Sequence, residues 1–575
     1  MAPSPVARAA ALAAACGLLA SCAAADETLV QTALGAVQGL VLEDGSARLF
    51  EGVSYAQAPA RWRHSQPVLP WSPATYDATF ERPGCVQLCT EDEPPHICPP
   101  TVSEDCLFLN VWTPRLPADG STPSWPVLFF IHGGNFHDGA AGGQDATGPL
   151  LYDGRMIANE TGTVVVVIQY RLGALGFLYL GDARDGTAVS GNFGLEDQVV
   201  AMGFVKANIA AFGGDPARIT LMGQSAGAMS ISAHMSRGAT AGLYTGAIML
   251  SNPHGEAYRD RDGALSIAGA FGNFSGCGQA LNLVINATEM ELCLQTKDAA
   301  TILAAQMQAE VYLLADLSAL LQVVVAWSPT IGTAYLPLRP LEAFQSGNVL
   351  DVPYMIGTTA NETVIFVYEV FNTAPGQYLN LSQIEYDIVA ALLIGPTFAA
   401  ESTLIYPFPT PPPTDFKMFS SALLTDGLFL CPTRNASEAL QAAQPFRKSK
   451  AYHWQYSHIL ASSANLWSKN FSECDNVVCH GSDLPELFHP HRPELANFTT
   501  SEDALARTMQ SYIAAFAATG APGDGGIGLE WPAYNAKTRL TLNYETAENG
   551  GVTVLAALRE AQCAWWDAGP GYSVW

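Results

Sequence analysis

Uninterrupted apolar runs alternate with stretches of helical spacing through the first half of the chain. Leu107-Phe108-Leu109-Asn110-Val111-Trp112, Trp125 to Ile131 and Thr163 to Tyr170 each read as a strand, the last holding Val164-Val165-Val166-Val167. Continuous β-branched runs suit strands covered on both faces. Gly194 to Phe212 has helical spacing and meets a stop signal at Gly213-Gly214-Asp215-Pro216. Arg218 to Met222 then reads as a buried strand, Ala226 to Ser236 as a helix of small and apolar residues, and Gly246 to Leu250 as another strand. This alternation predicts an α/β fold with a large, mostly parallel central sheet flanked by helices. Ahead of it, Leu29 to Gly52 alternates apolar and polar residues around glycines and predicts antiparallel N-terminal strands.

Beyond about residue 260 the pattern loosens into helical and loop segments. Pro353 to Gly357 and Lys450 to Tyr456 read as late strands. Glu502 to Ala517 reads as an amphipathic helix with Leu505, Met509, Tyr512, Ile513 and Phe516 on one side. Residues 82–104, rich in Cys, Pro and acids, and Pro407 to Pro413 read as surface loops, and no internal repeat is visible.

Composition narrows the class. The chain has 575 residues, 49% hydrophobic and 14% charged, enough for one large α/β domain and too apolar for disorder. A formal charge of −26 leaves no basic stripe for phosphates, which excludes a nucleic-acid partner. The acidity serves solubility or attracts cationic substrates. Arg8 ahead of the apolar run Ala9 to Ala20, with Ala23-Ala24-Ala25 before Asp26, predicts a signal peptide over 1–25 and a single domain over 26–575. Leu19-Ala20-Ser21-Cys22 is the rival reading, a lipoprotein box that would hold the chain at the cell surface by lipidating Cys22. Eight Asn-x-Ser/Thr sites, at Asn159, Asn273, Asn286, Asn361, Asn380, Asn435, Asn470 and Asn497, favour a secreted, glycosylated protein. The apolar run is too short for a transmembrane anchor, and the end at Trp575 carries no hydrophobic tail for a lipid anchor. Ten cysteines remain after Cys16 and Cys22, an even number that reads as disulfides; no Cys-x-x-Cys pair suggests zinc.

The candidate chemistry centres on Gly223-Gln224-Ser225-Ala226-Gly227. With 51 Gly the pentapeptide alone is weak, but it sits between a strand and a helix, where a nucleophile elbow belongs. A serine hydroxyl needs a base, and the base needs an acid to hold its tautomer, in the order Ser, acid, His. Seven histidines follow Ser225: His234, His254, His453, His458, His480, His489 and His491. His480 stands out, because it lies in a loop that a Cys474–Cys479 bond would pin; a metal held by His480, His489 and His491 is the rival reading. Glu362, in the polar loop after the strand ending at Gly357, is the candidate acid. The Gly-rich turn His132-Gly133-Gly134-Asn135 and the N–H of Ala226 supply candidate oxyanion donors.

Several long stretches then carry a resemblance to the type-B carboxylesterases, which include cholinesterases, liver-type carboxylesterases and large fungal lipases. They are Ser103 to Pro114, Tyr170 to Leu178, Gly191 to Gln198, and Phe212 to Pro216 running on to Gly227. The resemblance implies an α/β-hydrolase fold, with Ser225 as nucleophile, Glu362 as acid, His480 as base, and Gly134, Asn135 and Ala226 as oxyanion donors. It further implies the disulfides Cys85–Cys106, Cys277–Cys293 and Cys431–Cys563, which leaves Cys89–Cys98 and Cys474–Cys479 as local pairs.

Three departures stand out. Asn135 replaces the family's third glycine, and Phe204 replaces a usual Trp, read as packing. The Cys85–Cys106 loop has no Trp, which argues against choline esters, since cholinesterases use one there for a cation–π contact. Asn361, beside the candidate acid, is expected to stay unglycosylated. Ser251 to Gly255 is expected to line the substrate pocket, with Ser251 supporting the triad. The function expected is a secreted serine carboxylesterase acting on a small-molecule or lipid ester with no metal or cofactor. A lipase for long-chain acyl esters, an enzyme for thioesters or aryl amides, and a catalytically inactive binding protein are the alternatives.

Overall fold

The computed structural model describes residues 27–71, 73–88, 97–119, 121–141, 144–145, 148–149, 151–181, 191–278, 287–314, 325–374, 377–462, 467, 471–490 and 497–572. Its centre is a sheet of eleven strands. In chain order these are β1 (Leu40–Val41), β2 (Ala47–Ser54), β3 (Phe108–Pro114), β4 (Trp125–Ile131), β5 (Val164–Ile168) and β6 (Gly214–Gln224). They continue as β7 (Gly246–Leu250), β8 (Tyr354–Thr359), β9 (Ala451–Tyr456), β10 (Leu540–Tyr544) and β11 (Thr553–Ala556). The spatial order is β11-β10-β9-β8-β7-β6-β4-β5-β3-β2-β1. Neighbours from β5 through β10 are parallel. The pairs β5/β3, β3/β2, β2/β1 and β10/β11 are antiparallel, so the sheet is mixed at both edges.

Alternation along the inner strands divides the core. Val127, Phe129, Ile131, Val164, Val166 and Ile168 pack on one face, and Leu128, Phe130, Val165 and Val167 on the other, all fully buried. That two-sided burial is why these strands read as continuous apolar runs. Helices α1 (Phe193–Asn208) and α2 (Ala226–Met235) contribute Leu195, Met202, Ala228 and Ile231 to the first face. The predicted amphipathic helix is α4 (Thr500–Thr519), whose Leu505, Met509, Tyr512, Ile513 and Phe516 cover the second. It opens with a capping box, Thr499 Oγ1 accepting from Glu502 N and Glu502 Oε2 from Thr499 N, a device worth about 1 kcal/mol.

Two differences from the pattern reading have physical causes. Strand β6 starts four residues before Arg218, because Gly214 pairs with Trp125 before a register shift carries the chain past Pro216 to Ile219. Pro lacks the N–H a continuous ladder would need, so the irregularity falls beside it. The ends of the 82–104 segment are not free surface: Gly84–Cys85 pairs in parallel with Val102–Ser103, and Cys85 and Gln87 are buried.

Long-range ties hold the loops. Arg171 donates from Nε and Nη2 to Asp197 at 2.8 and 2.7 Å, with the Arg171 backbone N–H adding a third bond at 3.0 Å. The pair is buried, and a fork-to-carboxylate geometry with every lone pair occupied is what makes such burial tolerable. Four disulfides join Cys85–Cys106, Cys277–Cys293, Cys431–Cys563 and Cys474–Cys479. Cys98 is disulfide-bonded, while its expected partner Cys89 lies outside the described residues. The Cys431–Cys563 bond spans 132 residues, a loop whose closure restricts the unfolded chain by about 5 kcal/mol in the chain-entropy picture. The expected signal segment 1–25, Asn286, Asn470 and His491 also lie outside the described residues. Among the described residues no single helix is long and apolar enough to cross a membrane.

Candidate active site

Strand β6 runs into α2 through Ser225, which holds φ 55° and ψ −122°, a conformation outside the ordinary basins for a side-chain-bearing residue. Backbone bonds clamp it: Ser225 N–H donates to Leu250 O at 3.0 Å, and Met229 N–H to Ser225 O at 2.8 Å. The glycine two residues later is required by space. A Cβ on Gly227 would stand 2.0 Å from Ile131 O, the end of neighbouring β4. We expect Gly227→Ala to lower unfolding free energy by about 3 kcal/mol in a chemical denaturation series. A wild-type midpoint would show that the elbow can open without cost.

Glu362 lies in the loop between β8 and α3 (Val364–Val370) and is fully buried. Its Oε1 accepts Thr359 N–H at 2.7 Å, and its Oε2 accepts Nδ1–H of His480 at 2.6 Å. The two loops are tied directly, Asn361 N–H donating to Val478 O at 3.0 Å. The Cys474–Cys479 bond and the turn closed by Ser482 N–H to Cys479 O fix the histidine loop from the other side. Phe366 and Phe429 flank the imidazole, ring centroids 5.2 and 5.4 Å away. With Nδ1 donating to Glu362, Nε2 carries the lone pair a general base needs.

That lone pair is occupied. The Gln224 side-chain amide stands 3.0 Å from His480 Nε2, and Ser225 Oγ has no hydrogen bond to the ring in this geometry. Catalytic hydrogen bonds in ligand-free sites are often loose and tighten only in the substrate complex. Ser225, His480 and Gln224 nonetheless line one pocket, open to solvent. Gly134 and Asn135 line it too, at φ 96° and 50°. Asn135 therefore occupies the left-handed region, which Asn tolerates better than most residues. Ala226 opens α2, where first-turn N–H groups have no intrahelical acceptor.

The Gly-rich turn is braced from beneath. The His132 ring stacks on Tyr170 at 4.5 Å, and the Tyr170 hydroxyl donates to His132 O at 2.9 Å. Burial pushes His132 down to about 4, so the ring is neutral at pH 7 and its Nδ1 bonds Gly133 O at 2.8 Å. The rest of the pocket wall is mainly apolar, with Leu151, Ile365, Phe366, Trp467 and Leu484, plus the acids Asp138 and Glu369. Glu369 is itself solvent-exposed, and the crowding protein with the nearby Asp138 and Glu473 charges holds its carboxyl above the usual range.

The expectation for residues 251–255 fails. Ser251 to Gly255 is buried and absent from the pocket wall. Ser251 N–H donates to Gly357 O at 2.8 Å, so the segment is a backbone support beneath the acid's strand. The Ser251 Oγ itself meets no partner. Of the rival metal trio, His491 lies outside the described residues, His480 faces Glu362, and His489 Nε2 bonds Asp503 at 2.7 Å.

Sequence reasoning missed Gln224, although its place directly before the nucleophile was a signal. It also missed Asp483, buried near Glu362 and His480, whose carboxyl is pushed up to about 7 by burial and then by the Glu362 charge. Asp483 lies three residues after His480, directly before the helix Leu484–Phe488.

The sheet, the elbow on β6 and the loops after β8 and β9 define an α/β-hydrolase. The chain belongs to the carboxylesterase family, whose model matches residues 26–566. It is 32% identical to the cAMP-regulated D2 protein of Dictyostelium discoideum, over 91% of this chain and 89% of that one. It is 31% identical to the para-nitrobenzyl esterase of Bacillus subtilis, over 89% and 94%, and 29% identical to the cholinesterase of Mus musculus, over 94% and 86%.

Proposed function

We propose that this chain is a secreted serine hydrolase that cleaves carboxylic esters through an acyl-enzyme. Its signal peptide is residues 1–25 and its hydrolase domain 26–575. Ser225 attacks the ester carbonyl while His480 Nε2 takes its proton, with Glu362 holding the imidazole and stabilising its cation. The oxyanion forms against the N–H groups of Gly134, Asn135 and Ala226. His480 then protonates the leaving alcohol, and water, activated by the same ring, releases the acid. The observation that carries the reading is the 2.6 Å Glu362–His480 bond in a pocket shared with the strained Ser225. The esterase and cholinesterase names of two relatives support an ester as substrate.

For the base to work, the Gln224 amide must leave Nε2, and substrate entry is the natural trigger. A fluorophosphonate probe should form one adduct, on Ser225, in the folded protein; its absence would leave the non-catalytic binding-protein reading standing. A series of nitrophenyl esters decides substrate size. We expect highest kcat/KM for short to medium acyl chains, and activity only on long, aggregated esters would move the assignment to lipase.

Asn135 supplies a backbone donor, so its side chain is dispensable while its left-handed conformation is not. Asn135→Gly should keep kcat within about threefold, whereas Asn135→Val, β-branched and excluded from positive φ, should lower it by about 10²–10³. Equal activity in the two variants would remove residue 135 from the oxyanion hole.

A further inference from the structure

On the second face of the sheet, four ionisable side chains from four separate segments converge, none of them in the pocket wall. His458 lies two residues past β9, Glu486 in the short helix Leu484–Phe488, Glu502 in the first turn of α4, and Glu545 directly after β10. His458, Glu486 and Glu502 are 7%, 0% and 1% exposed. One ligand atom from each of these three lies within 4.8 Å of the others. His458 Nε2 stands 3.1 Å from Glu502 Oε1 and 3.9 Å from Glu486 Oε1.

Two observations separate this cluster from an ordinary ion pair. Glu486 is wholly buried, and neither of its oxygens has a hydrogen bond of good geometry; the adjacent Tyr456 hydroxyl is the donor beside it, and it too makes no well-formed bond. A buried carboxylate left this way is costly unless it takes up a proton or a cation meets it. His458 Nδ1 lies 2.8 Å from Glu545 Oε1, so that carboxylate can take the Nδ1–H and turn the Nε2 lone pair toward Glu486 and Glu502. A carboxylate orienting the far nitrogen is the arrangement that supports histidine as a metal ligand.

We propose that His458 Nε2, Glu486 and Glu502 bind a structural zinc-class divalent cation, with Glu545 orienting the histidine. Tetrahedral ligands at about 2.1 Å from zinc lie about 3.4 Å from one another, between the two separations seen here. The nitrogen in the set selects a borderline metal over Ca²⁺ or Mg²⁺, which prefer all-oxygen shells. A divalent ion also offsets the charge of three carboxylates around one neutral imidazole. The side chains of His458 and Glu545, 8% and 13% exposed, leave a route from solvent. The ion would fasten the helix that follows the His480 loop to β9, β10 and α4. It takes no part in the proposed ester chemistry, and it runs against the expectation from sequence that the chain holds no metal.

The test uses the full mature chain, treated with chelator and titrated with ZnCl₂. We expect one zinc per chain by elemental analysis, a thermal midpoint raised by several degrees, and no such rise with CaCl₂ at the same concentration. Glu486→Gln should weaken zinc binding at least about 100-fold, and Glu545→Gln about 10–100-fold, with unmetallated midpoints near wild type. Co²⁺ in the wild-type chain should give visible absorption of a low-coordinate nitrogen–oxygen site, a readout that depends on no variant folding. Sub-stoichiometric zinc in the wild type would overturn the proposal, and His458 would then hold a second proton between Glu545 and Glu502. Unchanged affinity in Glu486→Gln would place any bound zinc elsewhere on the chain.

Discussion

Ser225→Ala is expected to lower kcat on a soluble aryl ester about 10⁶-fold while leaving the thermal midpoint within about 2 °C of wild type. The two halves of this expectation come from different observations. In the proposed mechanism the hydroxyl forms the acyl bond, and no other described nucleophile shares the pocket wall with His480. The same hydroxyl makes no hydrogen bond among the described residues, so removing it orphans no described buried partner. Alanine must still adopt φ near 55°, but the clamps to Leu250 O and Met229 N are backbone bonds and survive the change. Because the triad acts as a unit, Ser225→Ala with His480→Ala should be scarcely slower than Ser225→Ala alone. Turnover above about 1% of wild type, after titration of any contaminating wild-type sites, would remove Ser225 from the nucleophile's role.

The proposed nucleophile was readable because everything that makes the elbow possible is local. Gly223 and Gly227 mark a crowded backbone, and an apolar strand and a small-residue helix flank it within a dozen positions. The inner strands were readable for the same reason: Val164 to Val167 records burial on both faces in four adjacent letters. Glu362 and His480 were assigned through order and family resemblance, since their 2.6 Å contact closes 118 residues of sequence and leaves no local trace. The pocket wall was not readable. Residues 251–255 follow β7, next to the elbow strand, and so invited assignment to it, but the chain turns beneath the sheet top, and α3 and the 480s loop supply the wall instead. Likewise His458, Glu486, Glu502 and Glu545 sit in four separate segments, and only the packing of α4 against β9 and β10 brings them together.

Glu362→Gln should cost about 10⁴ in kcat, about 5 kcal/mol of transition-state stabilisation, with little change in KM. The carboxylate has two acceptor oxygens and two donors to satisfy, Thr359 N–H and His480 Nδ1–H. An amide has one acceptor oxygen and one NH₂. If the oxygen stays with Thr359, the NH₂ faces His480 and selects the tautomer whose Nε2 carries the proton. That ring points a hydrogen at Ser225 and cannot act as its base. If the amide turns over, the NH₂ meets Thr359 N–H head on, and the imidazolium formed during attack still lacks its counter-charge. Either arrangement fills the same buried volume, so the variant should fold, and the loss should fall on turnover rather than binding. Glu362→Asp keeps the charge but shortens the reach, so a loss smaller than that of the amide would assign the effect to charge and tautomer. Retention of more than about a tenth of kcat in Glu362→Gln would mean that His480 is held by another group, with Asp483 the first candidate.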